Sequence, residues 1–156
     1  MIVYLIAVGS NMPAWVKTGF DDYAGRLRHD VELKLIEVPA LVRKKNADVK
    51  RILKEEGDKL LKAIPKNCLI VGLDVIGKEM TTPELSKRME SWMQSGQDVA
   101  LLIGGPEGFS PEIKALFQQS ISLSKLTLPH PMVRVLMAEQ LFRAWSIINN
   151  HPYHRE

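Results

Sequence analysis

Leu101-Leu102-Ile103-Gly104-Gly105-Pro106-Glu107-Gly108-Phe109-Ser110-Pro111-Glu112 runs from an unbroken apolar segment into a glycine-rich turn, then to a serine that precedes proline and glutamate. The apolar segment predicts a strand buried on both faces. The Ser-Pro-Glu triplet predicts a helix start: the hydroxyl caps, proline takes the first helical position, and the acid faces the positive end of the helix dipole. Strand, tight turn and helix in that order make half of a βαβ unit, the building block of a parallel sheet covered by helices.

The same alternation extends in both directions. Apolar, β-branched runs predict strands over 2–8, 31–38, 69–74, 98–103 and 122–126, and amphipathic stretches predict helices over 13–28, 47–63 and 131–148. Thr82-Pro83-Glu84 repeats the start signal of Ser110-Pro111-Glu112. The expected fold class is therefore α/β, with a largely parallel sheet. A chain of 156 residues with 46% hydrophobic and 25% charged residues suits one domain, 1–156, and leaves no room for a long disordered region.

The net charge of +3 is mild, but it is unevenly spread. Arg43, Lys44, Lys45, Lys50, Arg51 and Lys54 set six cations against Asp48, a pattern that fits either a solvated helix face or a contact with phosphates. Cys68, the one cysteine, can form no intrachain disulfide, which suits a reducing compartment. Residues 1–8 are apolar but lack a basic segment ahead of them, so they read as a first strand rather than a signal peptide. No run approaches the roughly 18 apolar residues that cross a bilayer. The expectation is a cytoplasmic protein with no membrane partner. His29, His130, His151 and His154 match no zinc-binding spacing, so no metal is expected.

Three segments offer places for chemistry. The turn at Gly104 and Gly105 follows a buried strand, where open α/β sheets bind ligands, and paired glycines let a ligand approach the backbone; a plain tight turn is the simpler reading. Leu123-Ser124-Lys125-Leu126-Thr127-Leu128 runs into Pro129-His130-Pro131, which forces the chain out of the sheet. Backbone groups freed there can bond a planar ring while the leucines pack on its faces. The tail His151-Pro152-Tyr153-His154-Arg155-Glu156 supplies imidazoles, a ring and a guanidinium after a helix apolar round most of its circumference. A helix of that kind asks for more cover than a small chain readily gives, and a second subunit is one source.

Ile103-Gly104-Gly105-Pro106-Glu107-Gly108, the 123–128 segment, Glu139-Gln140-Leu141-Phe142-Arg143-Ala144 and Pro152-Tyr153-His154, with the early Asn46-Ala47-Asp48, together resemble the bacterial large-subunit pseudouridine N3-methyltransferases, the RlmH family of the SPOUT superfamily. The match spans essentially the whole chain. It implies a C-terminal trefoil knot, an obligate homodimer built on the last helix, and S-adenosylmethionine bound in the knot. Leu73, Gly104, Leu123, Ser124, Lys125, Leu126, Thr127 and Leu128 match the family's cofactor positions, and Gly105 joins them through the turn. The implied substrate is 23S ribosomal RNA, in the assembled ribosome. In that chemistry His154 is the candidate base for the N3 proton, Tyr153 a stacking ring, and Arg155 a partner for developing negative charge or a phosphate. Phe142 departs from the family's usual tyrosine. Two other functions fit less of the sequence. One is N3-uridine methylation of the small subunit, whose enzymes carry an N-terminal RNA-binding domain for which this chain has no space. The other is a non-enzymatic ribosome-binding module.

Overall fold

The computed structural model describes residues 1–155. In chain order the elements are β1 (Ile2–Val8), α1 (Ala14–Ala24), β2 (Glu32–Val38), α2 (Val49–Ala63), β3 (Leu69–Glu79), α3 (Thr82–Ser95), β4 (Val99–Ile103), α4 (Pro111–Lys114), β5 (Gln119–Ser122) and α5 (His130–Ile148). A short 3-10 turn, Pro152–His154, follows α5. The five strands pair in parallel in the order β2-β1-β4-β3-β5. The α/β class with a parallel sheet is thus observed.

Alternate residues of the central strands feed two cores on opposite faces of the sheet. Val3, Leu5, Val99, Leu101 and Ile103 pack with Phe20 of α1, Met89 and Trp92 of α3, and Met137 and Leu141 of α5. Ile6, Val8, Ala100 and Leu102 pack with Leu60 of α2, Phe109 and Ile113. All five residues of β4 are buried, as its continuous apolar run requires.

The Ser110 start forms as read, and the other forms one residue earlier than expected, capped by Thr81 rather than Thr82, whose hydroxyl donates to Gln140 at 2.9 Å instead. Thr81 accepts from the Glu84 N–H while the Glu84 carboxylate accepts from the Thr81 N–H, a reciprocal capping box, and Ser110 Oγ accepts from the Ile113 N–H at 3.3 Å. Other boundaries move. The predicted strand over 122–126 is displaced: β5 ends at Ser122 because serine hydroxyls capture the next turn. Ser122 Oγ donates to the Ser124 carbonyl and Ser124 Oγ accepts from the Leu126 N–H, so the backbone bends instead of pairing. β3 runs past its predicted end to Glu79, with a register break between Leu73 and Lys78 where it meets Ile121. α1 stops at Ala24, short of 28, with Gly25 at its end.

Candidate functional site

The turn after β4 closes on itself. Gly108 N–H donates to the Gly105 carbonyl at 2.9 Å, with Gly108 at φ +79. A Cβ at Gly104 would stand 2.6 Å from the Gly108 carbonyl oxygen, so turn closure itself demands glycine there. A Cβ at Gly105 would stand 2.8 Å from Nη2 of Arg43. The bare face of Gly105 thus admits a guanidinium.

Beside this turn, at the C-terminal ends of β3 and β4, lies a cleft of about 630 Å³ lined by Leu73, Asp74, Ile103 to Phe109, Thr127, Leu128, His130 and Val133. A smaller cavity of about 90 Å³ adjoins it, lined by Leu73, Ile121 to Ser124, Leu126, Leu128 and Val133. Of the residues the sequence proposes around a cofactor, Leu73, Gly104, Gly105, Leu123, Ser124, Leu126, Thr127 and Leu128 line one or other cavity; Lys125 lines neither and is exposed. Among the described residues, the backbone N–H and C=O groups of Lys125, Thr127 and Leu128 have no backbone partner. These contributors come from three segments far apart in sequence, at 73, 104–105 and 123–128, and the strand order brings them to one end of the sheet.

Two charged groups frame the cleft that the sequence reading left unassigned. Arg43 donates to buried Glu56 through both terminal nitrogens, at 3.0 and 2.7 Å, and to Glu107 at 2.7 Å. The hydrogen bonds to Glu56 and then Glu107 raise the guanidinium's pKa further, and Arg43 in turn holds the Glu107 carboxyl below the usual carboxylate range. Glu107 is therefore tied to the 41–48 loop. On the other wall, His130 sits beside Arg134, which is 1% exposed and bonds Glu37 and the Gly9 carbonyl. Burial first, and then the Arg134 charge, push the imidazole's pKa below its ordinary value, so His130 is a neutral ring at neutral pH. No sequence spacing announces either cluster, because their members lie as much as 125 residues apart.

The tail is fastened to α5 by the same residues that carry the sequence resemblance. Tyr153 donates from its hydroxyl to Glu139 at 3.0 Å, and Glu139 also accepts from Arg143 Nε at 2.8 Å. The Tyr153 ring packs on Phe142 at 4.6 Å with the Arg143 guanidinium 4.9 Å from its centroid. Burial, then Tyr23 and Glu139, raise the phenol's pKa, so it acts as a donor. His154 Nδ1 lies 3.3 Å from Ser146 Oγ. That hydroxyl donates to the Arg143 carbonyl at 2.7 Å, so toward His154 it can only accept. The neutral imidazole then carries its proton on Nδ1 and keeps a lone pair on Nε2. Ser146 is a residue that sequence reasoning missed. Arg155 is exposed. Tyr153 and His154 thus come together with Glu139, Arg143 and Ser146, but apart from the cleft: Leu128, His130 and Val133 line it at and just before the start of α5, while the tail folds back along the helix and is held at Glu139 and Ser146, roughly 14 and 24 Å of helix beyond His130.

The family model described as "Predicted SPOUT methyltransferase" matches residues 1–154. Among solved structures the fold is similar to that of a protein assigned to a methylase family from Haemophilus influenzae Rd KW20, with a TM-score of 0.61 at 13% identity over 99% of this chain and 70% of that one. It is also similar to a protein assigned to a methylase family from Neisseria gonorrhoeae, with a TM-score of 0.54 at 14% identity over 90% of this chain and 81% of that one. At such identities the structures speak for shared fold, and the family model, covering nearly every residue, speaks for descent. The chain belongs to the SPOUT methyltransferase family.

Proposed function

We propose that this chain is an S-adenosylmethionine-dependent RNA methyltransferase that modifies N3 of a pseudouridine in 23S ribosomal RNA, working as a homodimer on the assembled ribosome in the cytoplasm, with the C-terminal segment knotted as in its family. The observation that carries the reading is the cleft at the strand ends, where apolar side chains and unpaired backbone groups converge in a chain of the SPOUT family. Those features suit the cofactor: Leu73 and Leu128 give apolar faces for a purine, the 125–128 backbone gives donors and acceptors for its edge, and Gly104 leaves the wall open. When bound, S-adenosylmethionine supplies a methyl group on a sulfonium.

The chain's own part begins with the N3–H of the base, a weakly acidic imide proton. His154 takes that proton on Nε2 while Ser146 accepts from its Nδ1–H and fixes the ring plane. Arg155, which cannot lose its proton, balances the negative charge that develops on the imide or holds a neighbouring phosphate. Tyr153 secures the tail through Glu139 and presents its remaining ring surface for stacking.

The distance between tail and cleft along α5 supports a site shared by two copies, one giving the cleft and the other the tail. Exposed apolar side chains on α5 and α1 support a place for that second copy. Leu141 and Trp145, large apolar residues of the helix that reads as apolar round most of its circumference, are buried in the chain's own core, whereas Met132 and Leu136 are 43% and 36% exposed, with Trp15 of α1 51% exposed. Two experiments test the reading. Calorimetry should detect S-adenosylmethionine binding to the purified protein. Mass spectrometry of ribosomal RNA from a deletion strain should show one N3-methylpseudouridine missing from the large subunit. Ribosomal RNA unchanged by the deletion would overturn the assignment.

A further inference from the structure

We infer that the groove between the 41–48 loop and the first two turns of α2 is the surface on which this enzyme first holds its RNA, by the phosphodiester backbone. The inference rests on the methyltransferase reading above and adds to it where the nucleic acid lies.

The groove encloses about 850 Å³, and its walls set Lys44, Lys45 and Arg51 against Asp48 and Glu55, with Val42 beside them. Its charge differs from what the bare sequence suggests. Of the six cations between 43 and 54, Arg43 is engaged by Glu56 and Glu107, and Arg51 by Glu55. The two acids on the wall have partners as well, although Asp48 keeps its charge. Asp48 caps α2 by accepting from the Lys50 and Arg51 N–H groups, and Glu55 faces Arg51. Lys44, Lys45, Lys50 and Lys54 remain, all exposed, and among the described residues none has a carboxylate within salt-bridge reach. Lys44 and Lys45 on the groove wall, with Lys50 and Lys54 on the adjoining turns of α2 and none of the four ion-paired among the described residues, outnumber the wall's one carboxylate without an ion pair, Asp48, and complement a polyanion. Two of the four, Lys44 and Lys45, stand on the loop rather than on a helix, so a merely solvated helix face does not explain them. Val42, 77% exposed on the same wall, gives apolar contact for a ribose or base.

Position argues further. Arg43 ties this loop to Glu107, and Glu107 lines the cleft proposed for the methyl donor. A strand laid along the lysines therefore passes within one side chain's length of the glycine turn. The fastening is rigid, because the guanidinium is held from three sides, by Glu56, Glu107 and the Leu41 carbonyl.

The test compares the full-length protein with its Lys44→Ala/Lys45→Ala/Lys50→Ala variant. Binding of a fluorescein-labelled single-stranded RNA oligonucleotide is read by fluorescence anisotropy, without cofactor, across a potassium chloride series. If each lysine neutralises one phosphate, the slope of log affinity against log salt should fall by about two, and affinity at low salt should fall on the order of tenfold or more. A control, Lys62→Ala/Lys66→Ala/Lys87→Ala, removes equal charge from exposed lysines elsewhere and should keep both values near wild type. Equal binding by wild type and the 44/45/50 variant, or an equal loss in the control, overturns the surface. Failure of the parent reading shows itself separately, in a wild type that binds this RNA but transfers no methyl group to any.

Discussion

Ser146 has no exposure at all, yet it decides which nitrogen of His154 is free. Replacing it with alanine removes one hydrogen bond, worth about 1 kcal/mol, and leaves the imidazole free to turn. Ser146→Ala is expected to lower the single-turnover rate roughly fivefold, with RNA affinity unchanged, while His154→Ala lowers it by about 10² to 10⁴. Wild-type rates in both variants would remove His154 from the role of base. Arg43 is a second single residue with wide effect. Arg43→Met leaves the buried Glu56 carboxylate without its partner and should cost about 3 kcal/mol at neutral pH, read from urea melts. The sign with pH follows from Glu107. A carboxyl whose folded pKa is depressed adds stability above its unfolded value of about 4.3, and that contribution is lost as pH falls through the folded value. The stability gap between wild type and Arg43→Met should therefore narrow on acidification below about pH 4.3. In a carbon NMR titration the Glu107 midpoint should rise in the variant; an unmoved midpoint would contradict the bridge.

Helix α5 carries most of the predictions that concern elements. Its sequence reads as apolar nearly all round, and the structure divides that surface in two. Met137, Leu141, Ala144 and Trp145 face the chain's own core, while Met132 and Leu136 face outward. Leu141→Asp is accordingly expected to unfold the chain, since it buries an unpaired carboxylate where a leucine contributed roughly 2 kcal/mol. Leu136→Asp should leave the melting temperature of the subunit nearly unchanged and dissociate the proposed dimer, as light scattering would report; a dimer that survives the change would exclude this face. Periodicity could not make that division, because a helix apolar on every side gives the same pattern whether covered by its own chain or another. What sequence did reveal was local. The Ser110 cap formed as read and the Thr81-Glu84 cap within one residue of the expected Thr82, because every atom of a cap lies within four residues. The end of β5 was misread because Ser122 and Ser124 bond their own backbone, a choice that alternation of apolar residues does not register. At the site, Gly104 was legible as a glycine needed for a turn. Arg43, His130 and Ser146 were not legible, since their partners arrive only through the fold. The resemblance, not periodicity, directed attention to Tyr153 and His154, and the structure shows them bonded to Glu139 and Ser146.

At the scale of the whole molecule, the separation of tail and cleft along α5, from His130 to the tail's anchors at Glu139 and Ser146, makes a quantity out of the proposed shared site. A variant lacking residues 151–156 keeps a cleft and has no tail; a Gly104→Val variant keeps a tail and, with its turn forced open, has no sound cleft. Each alone should be inactive. Mixed, unfolded together and refolded, they should form heterodimers in which the cleft of one meets the tail of the other, and methyl transfer should return. Activity that stays at zero in the mixture, with heterodimers present by mass spectrometry, would place both halves of the site in one chain.

The central place of β4 has a further consequence, for the order in which the chain can fold as it is made. β1 and β2 are synthesised early and pair with each other, but the other edge of β1, like one edge of β3, belongs to β4. Until Val99–Ile103 has left the ribosome, the two halves of the sheet have nothing to join them, and apolar edges on both sides stand open to wrong partners. The stretch that ends in the glycine turn is thus also the keystone of biogenesis: the growing chain stays a collection of unclosed pieces through its first two-thirds, the five residues of β4 then join β1 to β3, and β5 is left to complete the edge.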